Sequence, residues 1–240
     1  MLPTAAALGQ VWTVQFGVQQ LASNQQIPRH RHDLGYVAVI LSGGYFEYGD
    51  RGRFRIAEGQ VVVHEAFEAH ADEIASRGAK VLNLPVPRST RVPFIIGSVR
   101  DVDEVAYTAR HDLRSATRTL LETAEPCDVP VADWPDLLAA QLQQETVKLS
   151  CWAEAHHLTR TALSRGFRTA FGVNPSVFRR EAAARRAWRA SAFGQQSLAH
   201  VAADAGFADQ AHMTRAIQNL TGRTPAAWRK SIQEDDPKLV

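Results

Sequence analysis

From residue 11 to about residue 98 the apolar residues come in short runs. VWTVQFGV, YVAVILSG, YFEYGD, FRIAEGQVVVHE and KVLNLPV are rich in β-branched and aromatic residues, the residue types that fit a pleated, half-buried surface. Gly43-Gly44, Gly49-Asp50 and Glu58-Gly59 fall between the runs and predict turns. Many short strands with regular turns predict a sandwich or a small barrel. Pro85, Pro87 and Pro93 then end the pattern. From Asp101 to Glu145 the period becomes helical. Leu113, Ala116, Leu120 and Leu121 share one face, and Leu138 and Leu142 share another. EPCDVPVADWP lies between these helices as a loop. From Leu149 onward the helices are ended by glycine and restarted by proline. The expectation is an α+β, multidomain chain. Residues 1–98 form a β domain, 99–145 a helical linker suited to dimerisation, 146–232 an all-α domain and 233–240 an acidic tail.

The all-α region contains a repeat. Arg165, Phe167, Gly172, Pro175, Phe178 and Arg179 recur as Arg215, Ile217, Gly222, Pro225, Trp228 and Arg229, an offset of 50. The same mechanics can be read in each copy. Gly172 and Gly222 can take the left-handed conformation that ends a helix. Asn174-Pro175 and Thr224-Pro225 supply an N-cap and a first-turn proline for the next helix. Thr159 and Asp209 cap the start of the helix ahead of each glycine. A short alanine-bearing helix precedes each cap, CWAEAHH in one copy and LAHVAADAGF in the other. Short helix, tight turn and capped second helix make a helix-turn-helix. Between the copies, Ser176 to Ala192 reads as one helix, a stiff spacer about 25 Å long.

Charge strengthens this picture. The formal net charge of +2 hides a split. Residues 1–145 carry 13 basic against 18 acidic side chains, and residues 146–240 carry 14 against 7. A basic module joined to an acidic one points to a polyanion as the partner of the basic one. A helix that enters the major groove needs donors and acceptors on a firmly placed scaffold. Arg160, Arg165 and Arg168 supply cations in the first copy; Gln210, His212, Thr214 and Arg215 supply donors and acceptors in the second. Two such helices joined by a rigid spacer suit successive major grooves roughly 34 Å apart. The competing reading is that these arginines merely solvate helix surfaces.

These motifs carry a resemblance. SLAHVAADAGFADQAHMTRAIQNLTGRTPAAWR, and the region from about Leu149 to Lys230 around it, resembles the DNA-binding domain of the AraC/XylS family of bacterial transcription regulators. The chain departs from that family at Ile217, usually phenylalanine, at Ala211, often serine or glutamine, and at His157, usually glycine. The resemblance implies that Arg160, Thr161, Ser164 and Arg165, with the neighbouring Arg168, face DNA in the first copy. In the second copy it implies Gln210, Ala211, Thr214 and Arg215. It implies a core of Leu163, Phe167, Val201, Phe207 and Met213. The partners it implies are double-stranded DNA, a small-molecule effector, RNA polymerase and a second copy of the chain, in an activator of cytoplasmic location.

The β region offers a second constellation. His30-Arg31-His32 stands at the start of a strand, so both imidazoles project from one face. His64 and His70 flank the end of another strand, with His64 on the opposite parity to much of it and so directed outward. IPRHRHDLGYVAVILSGG followed by AEGQVVVHEAFEAH resembles a cupin barrel, the usual N-terminal sensor of the family. Tyr36 stands where metal cupins carry a glutamate. Two alternatives stay open for His30, His32, Tyr36 and His70. They line a pocket for an organic ligand, or His30, His32 and His70 hold a divalent metal such as Zn, Ni or Fe.

Hydrophobic and charged contents of 45% and 22% are ordinary for a globular chain. No apolar run approaches membrane-spanning length, and MLPTAAALGQVW lacks the basic start and long apolar core of a signal peptide. Cys127 and Cys151 form no metal or redox motif, as expected of a reduced cytosolic protein. The leading expectation is a ligand-responsive, sequence-specific transcription regulator, not an enzyme, in which helices 101–145 transmit ligand binding to the DNA readers. The alternatives are a metal-dependent cupin enzyme with a DNA anchor and a DNA-binding protein that needs no ligand.

Overall fold

A computed structural model describes residues 11–88, 90–129, 131, 133–144 and 147–235. The chain divides into two compact units, Met1–Asp136 and Leu137–Val240. Of the acidic tail, residues 236–240 lie outside the described residues.

Two long strands organise the first unit. β4 (Gly35–Gly49) and β7 (Ala69–Val86) pair antiparallel from Gly35 opposite Val86 to Gly49 opposite His70. Each takes different outer partners in its two halves. The first half of β4 pairs with β6 (Gln60–His64) and the second with β5 (Gly52–Ala57). The first half of β7 pairs with β3 (Gln26–His32) and the second with β2 (Gly17–Leu21). β1 (Val11–Trp12) runs parallel to β3, and β8 (Ile96–Ser98) and β9 (Glu125–Cys127) extend the sheet beyond β6. One nine-stranded sheet results, with two leaves that share β4 and β7.

Strand alternation sends side chains to two separate cores. Tyr36, Ala38, Ile40, Val62 and Val81 meet Tyr45, Phe54, Ile56 and Ile74 of the other leaf in the barrel interior. On the opposite face, Val37, Val39, Val61, Val63, Leu82 and Leu84 are covered by α1 (Val102–Ala109) and α2 (Leu113–Thr123), through Val105, Ala109, Ala116 and Leu120.

Several sequence expectations are corrected here. Gly43-Gly44 is no turn; β4 runs straight through it. A Cβ on Gly43 would stand 2.1 Å from the carbonyl oxygen of Gly78, so the pair marks close backbone approach between β4 and β7 with a register shift. Residues 69–79 form half of β7 although AHADEIASRGA has no strand-like composition, because its inward side chains are polar. His30 and His32 lie at the end of β3, not at a strand start. Part of the loop EPCDVPVADWP forms β9. Residues 99–145 do not stand apart as a linker. α1 and α2 are part of the barrel's outer core, and the boundary between the units falls inside α3 (Trp134–Gln144), after Asp136.

The second unit is all helix: α4 (Leu149–Ala155), α5 (Arg160–Phe171), α6 (Pro175–Phe193), α7 (Leu198–Asp204), α8 (Gln210–Thr221) and α9 (Pro225–Asp235). Among the described residues no helix is long and apolar enough to cross a membrane. The spacer α6 has 19 residues, about 28 Å at roughly 1.5 Å per residue. Its apolar residues Phe178, Ala182, Ala184, Ala187 and Trp188 are buried. Phe178 packs on Phe167 and Phe171 of the first copy, and Trp188 meets Trp228 of the second edge-on at 5.8 Å. The spacer is therefore also the shared core of both copies.

The turn of the first copy carries a strained residue. His157 has φ +54, where the second copy has Gly206 at φ +80. The left-handed region costs an L-residue roughly 1–2 kcal/mol, and glycine recovers most of it less its own chain entropy. His157→Gly is expected to raise the stability of the C-terminal unit by roughly 0.5–1 kcal/mol. Urea unfolding followed by tryptophan fluorescence checks this, and an unchanged or lower midpoint contradicts it.

Candidate nucleic-acid interface and histidine cluster

Both helix-turn-helix copies are built by the same hydrogen bonds. The Thr159 hydroxyl accepts from Ala162 N–H at 3.1 Å and the Asp209 carboxylate from His212 N–H at 2.6 Å, starting α5 and α8. Gly172 and Gly222 end these helices at φ +74 and +76, their N–H groups donating to Arg168 and Gln218 carbonyls. In the turns, Leu158 N–H donates to Ala153 O and Phe207 N–H to Ala202 O. These turn bonds lie 49 residues apart while the caps Thr159 and Asp209 lie 50 apart. The second copy therefore carries one extra residue between turn and reading helix.

The caps fix which face of each helix looks outward. Leu163, Phe167 and Phe171 of α5, and Met213, Ile217 and Leu220 of α8, are buried. Ile217 is fully buried in the core of its copy. Arg160, Thr161, Ser164, Arg165 and Arg168 are exposed on α5; Gln210, Ala211 and Arg215 are exposed on α8, with Thr214 half-buried. Gln210, Ala211, Thr214 and Arg215 together line one open surface depression. Phe207 is half-buried, with its ring edge-on to exposed His212 at 5.2 Å, so it caps the core instead of filling it.

The repeated arginine after the aromatic has a different task. Arg179 donates to Val147 O, and Arg229 donates to Gln196 O and Ser191 O. Val147 and Gln196 each lie two residues before the first helix of their copy. The arginine thus ties the end of each copy to its beginning. Arg185 and Arg186 reach the side chain and carbonyl of Gln143 on α3. Part of the basic excess that suggested a polyanion is internal bracing. Sequence reasoning missed this, although the exact recurrence of Arg179 and Arg229 was the signal for it.

In the first unit, His30 and His32 project from β3 and His70 from β7, where Gly49 and His30 flank His70 in register. One ligand nitrogen from each of the three histidines can be chosen so that all lie within 4.8 Å of one another. His30 Nε2 stands 3.0 Å from His32 Nε2, and the His30 and His70 rings meet edge-on at 4.4 Å. The outer nitrogens of His30 and His32 are held at backbone oxygens, Nδ1 at Pro28 O and Trp12 O respectively. Tyr36 is buried with its hydroxyl 3.3 Å from His70 Nε2. Burial, helped by the Asp72 and Glu47 carboxylates, raises its pKa well above that of a free phenol, so it stays a neutral hydrogen-bonding group.

His64 corrects the sequence reading. It is buried, directly opposite Tyr36 in the ladder, stacked on that ring at 4.4 Å and 4.4 Å from the His70 ring. Parity misled because α1 and α2 bury the other face of β6 as well, so valines on both sides look alike. Glu47 and Asp72 also line the interior, on paired positions of β4 and β7. Neither was singled out in the sequence. Glu47 Oε2 and His70 Nδ1 are buried without a hydrogen-bond partner among the described residues.

The three convergent imidazoles, buried at His30 and His70 and half-buried at His32, fit a divalent metal. His70 offers an unpartnered Nδ1, and burial pushes its pKa and that of His64 well below the ordinary range. Imidazole lone pairs are therefore available at neutral pH.

Similarity to known proteins agrees with the C-terminal geometry. Residues 152–231 match the family model of a helix-turn-helix domain. The paired, capped helices and that match define residues 152–231 as a helix-turn-helix domain. No curated protein is similar in sequence. Among solved structures, the chain is similar to ToxT from Vibrio cholerae at 8% identity over 91% of this chain and 97% of that one, TM-score 0.41. It is similar to the DNA-binding domain of AdpA, solved with a target DNA, at 22% identity over 45% of this chain and 99% of that one, TM-score 0.41. A probable AraC family transcriptional regulator from Rhodopseudomonas palustris is similar at 14% identity over 41% and 92% of the two chains, TM-score 0.36.

The cluster makes barrel stability depend on pH. Burial lowers all four histidines, His30 to about 4. Below about pH 6.5 the unfolded chain protonates them while the fold does not, so stability is lost as pH falls. Burial raises Asp72 to about 7 and Glu47 well above its ordinary value. These two act oppositely, since the fold holds protons that the unfolded chain releases as pH rises. Four histidines outweigh two carboxylates. Stability is expected to fall between about pH 6.5 and pH 5, by up to about 1.4 kcal/mol per pH unit for each proton of the imbalance. Denaturation midpoints of metal-stripped protein across that range check this, and a midpoint that rises on acidification contradicts it.

Proposed function

We propose that this chain is a sequence-specific transcription regulator whose DNA binding responds to a divalent cation in the barrel. The observation that carries the sensing half is the convergence of His30, His32 and His70, with donor atoms within 4.8 Å of one another. The rings around them stand in contact: Trp12 stacks on His30 at 4.2 Å, Tyr36 on His64 at 4.4 Å, and His64 meets His70 at 4.4 Å. This packing favours an ion over an organic effector among the rings. His30, His32 and His70 would hold the metal, and Tyr36 would serve as a hydrogen-bond neighbour. A bound cation would supply a fixed positive charge in a buried site, differentially stabilising the conformation that presents all three donors.

The reading half rests on the exposed faces of α5 and α8. Arg160, Arg165 and Arg168 give the first copy a strongly cationic face, whereas Arg215 is the single arginine on the exposed face of α8 beside Ala211, which has no hydrogen-bonding side chain. The first copy accordingly contributes more phosphate attraction and the second relies on Gln210, Thr214 and Arg215.

Affinity of the full chain for duplex DNA is expected to fall steeply with salt, because phosphate contacts release counterions. Arg165→Ala and Arg215→Ala are each expected to weaken binding by about 1–3 kcal/mol. A base-reading arginine relaxes one position of the selected site, and a phosphate contact weakens all sites alike. Selection from a random duplex pool, followed by titration at several salt concentrations, measures both. Wild-type affinity in both variants would remove the two helices from the DNA interface.

A further inference from the structure

The buried acids of the barrel fall into two kinds. Asp50, Glu68 and Asp136 are each paired with a guanidinium: Arg29 Nη2 is 2.5 Å from Asp50, Arg51 Nη1 is 3.1 Å from Glu68, and Arg53 Nε is 2.8 Å from Asp136. Glu47 and Asp72 are as deeply buried, at 3% and 7% exposure. Imidazoles face them instead. His64 Nε2 stands 3.6 Å from Glu47 Oε2, and His70 Nε2 stands 4.0 Å from Asp72 Oδ2. Both separations are too long for hydrogen bonds, and Glu47 Oε2 has no hydrogen-bond partner among the described residues.

Strand register sets this arrangement. Glu47 lies directly opposite Asp72 in the β4–β7 ladder, so their Cβ atoms are about 4.5–5.5 Å apart on one face. His64 enters from β6, opposite Tyr36. Its ring touches His70 at 4.4 Å but makes no ring contact with His30 or His32 among the described residues. The three-histidine set and the Glu47–His64–Asp72 group therefore meet at His70.

Glu47 stands beside His64 and Asp72 beside His70 at separations just beyond hydrogen bonding, and a cation between them would take the place of the protons that burial holds on the two carboxyls. First-row divalent metals accept this mixture of oxygen and nitrogen donors, and pairs of such metals about 3.5–4 Å apart form in one cavity. We propose that Glu47, His64 and Asp72 form a second divalent-cation position in the barrel interior, adjoining the three histidines. It rests on the reading that the three histidines bind a metal.

The test counts metal in the full chain, purified without a histidine tag, stripped, equilibrated with zinc and dialysed. Elemental analysis gives zinc per chain, and circular-dichroism melting confirms that each variant is folded. Two zinc ions per chain are expected in the natural protein, and one in both Glu47→Gln and His64→Ala. Glu47→Gln keeps the shape of the side chain and removes only the charge, so it serves if His64→Ala fails to fold. Two ions in the natural protein and two in Glu47→Gln overturn the proposal, because the second ion then lies elsewhere. One ion in the natural protein, retained in Glu47→Gln and lost in His30→Ala, also overturns it and leaves the three-histidine reading intact. No zinc in any variant overturns both.

Discussion

The ladder between β4 and β7 is the constraint on which the barrel interior depends. Because each strand serves both leaves of the sheet, its pairing brings Tyr36, Glu47, His70 and Asp72 from distant parts of the chain onto one inner face. A slip of one residue would turn every one of these groups outward. The close approach of Gly43 to Gly78 pins that register: a Cβ there would meet backbone, not a movable side chain. The polar cluster is thus a consequence of a backbone contact some distance along the same two strands.

The C-terminal unit solves a different problem by repetition. A reading helix must be held rigidly while its outward face is left free for DNA. Caps at Thr159 and Asp209 fix where each helix begins, left-handed glycines fix where it ends, and Arg179 and Arg229 tie each copy closed. The buried aromatics of α6 then join the copies. With the scaffold satisfied internally, Arg160, Arg165 and Arg168 on one helix and Gln210, Thr214 and Arg215 on the other remain outward. The one-residue difference in the turns lets the two copies share a design without being superposable residue for residue.

The helical half was the more legible. Caps, glycines and prolines act within a few residues of one another, so their spacing is local, and the bounds of α5, α6 and α8 follow from it. The convergence of His30 and His32 was also local, since alternate residues of a strand share a face. The barrel's remaining site was not local. Glu47, His64 and Asp72 meet only through the pairing of β4, β6 and β7. Alternation could not orient His64 because α1 and α2 bury the second face of the sheet. The strand carrying Asp72 was missed because its inward His70 and Asp72 are polar and break the apolar alternation that marks a strand. The basic excess of the C-terminal part overstated the charge left free for a polyanion for the converse reason: a guanidinium bound to a carbonyl, as in Arg179 and Arg229, and one facing solvent look the same in a sequence.

The central claim is that a cation held by the barrel histidines governs how the chain binds DNA. The most direct measurement is the affinity of the full chain for a selected duplex, by fluorescence anisotropy, with zinc and after its removal. His30→Ala, checked as folded, is measured alongside. The account predicts an affinity that changes with zinc in the natural protein, by the five-fold or more typical of a coupling of about 1 kcal/mol or above, and does not change in His30→Ala. Equal affinity with and without zinc in the natural protein, with zinc shown to be bound, would contradict it.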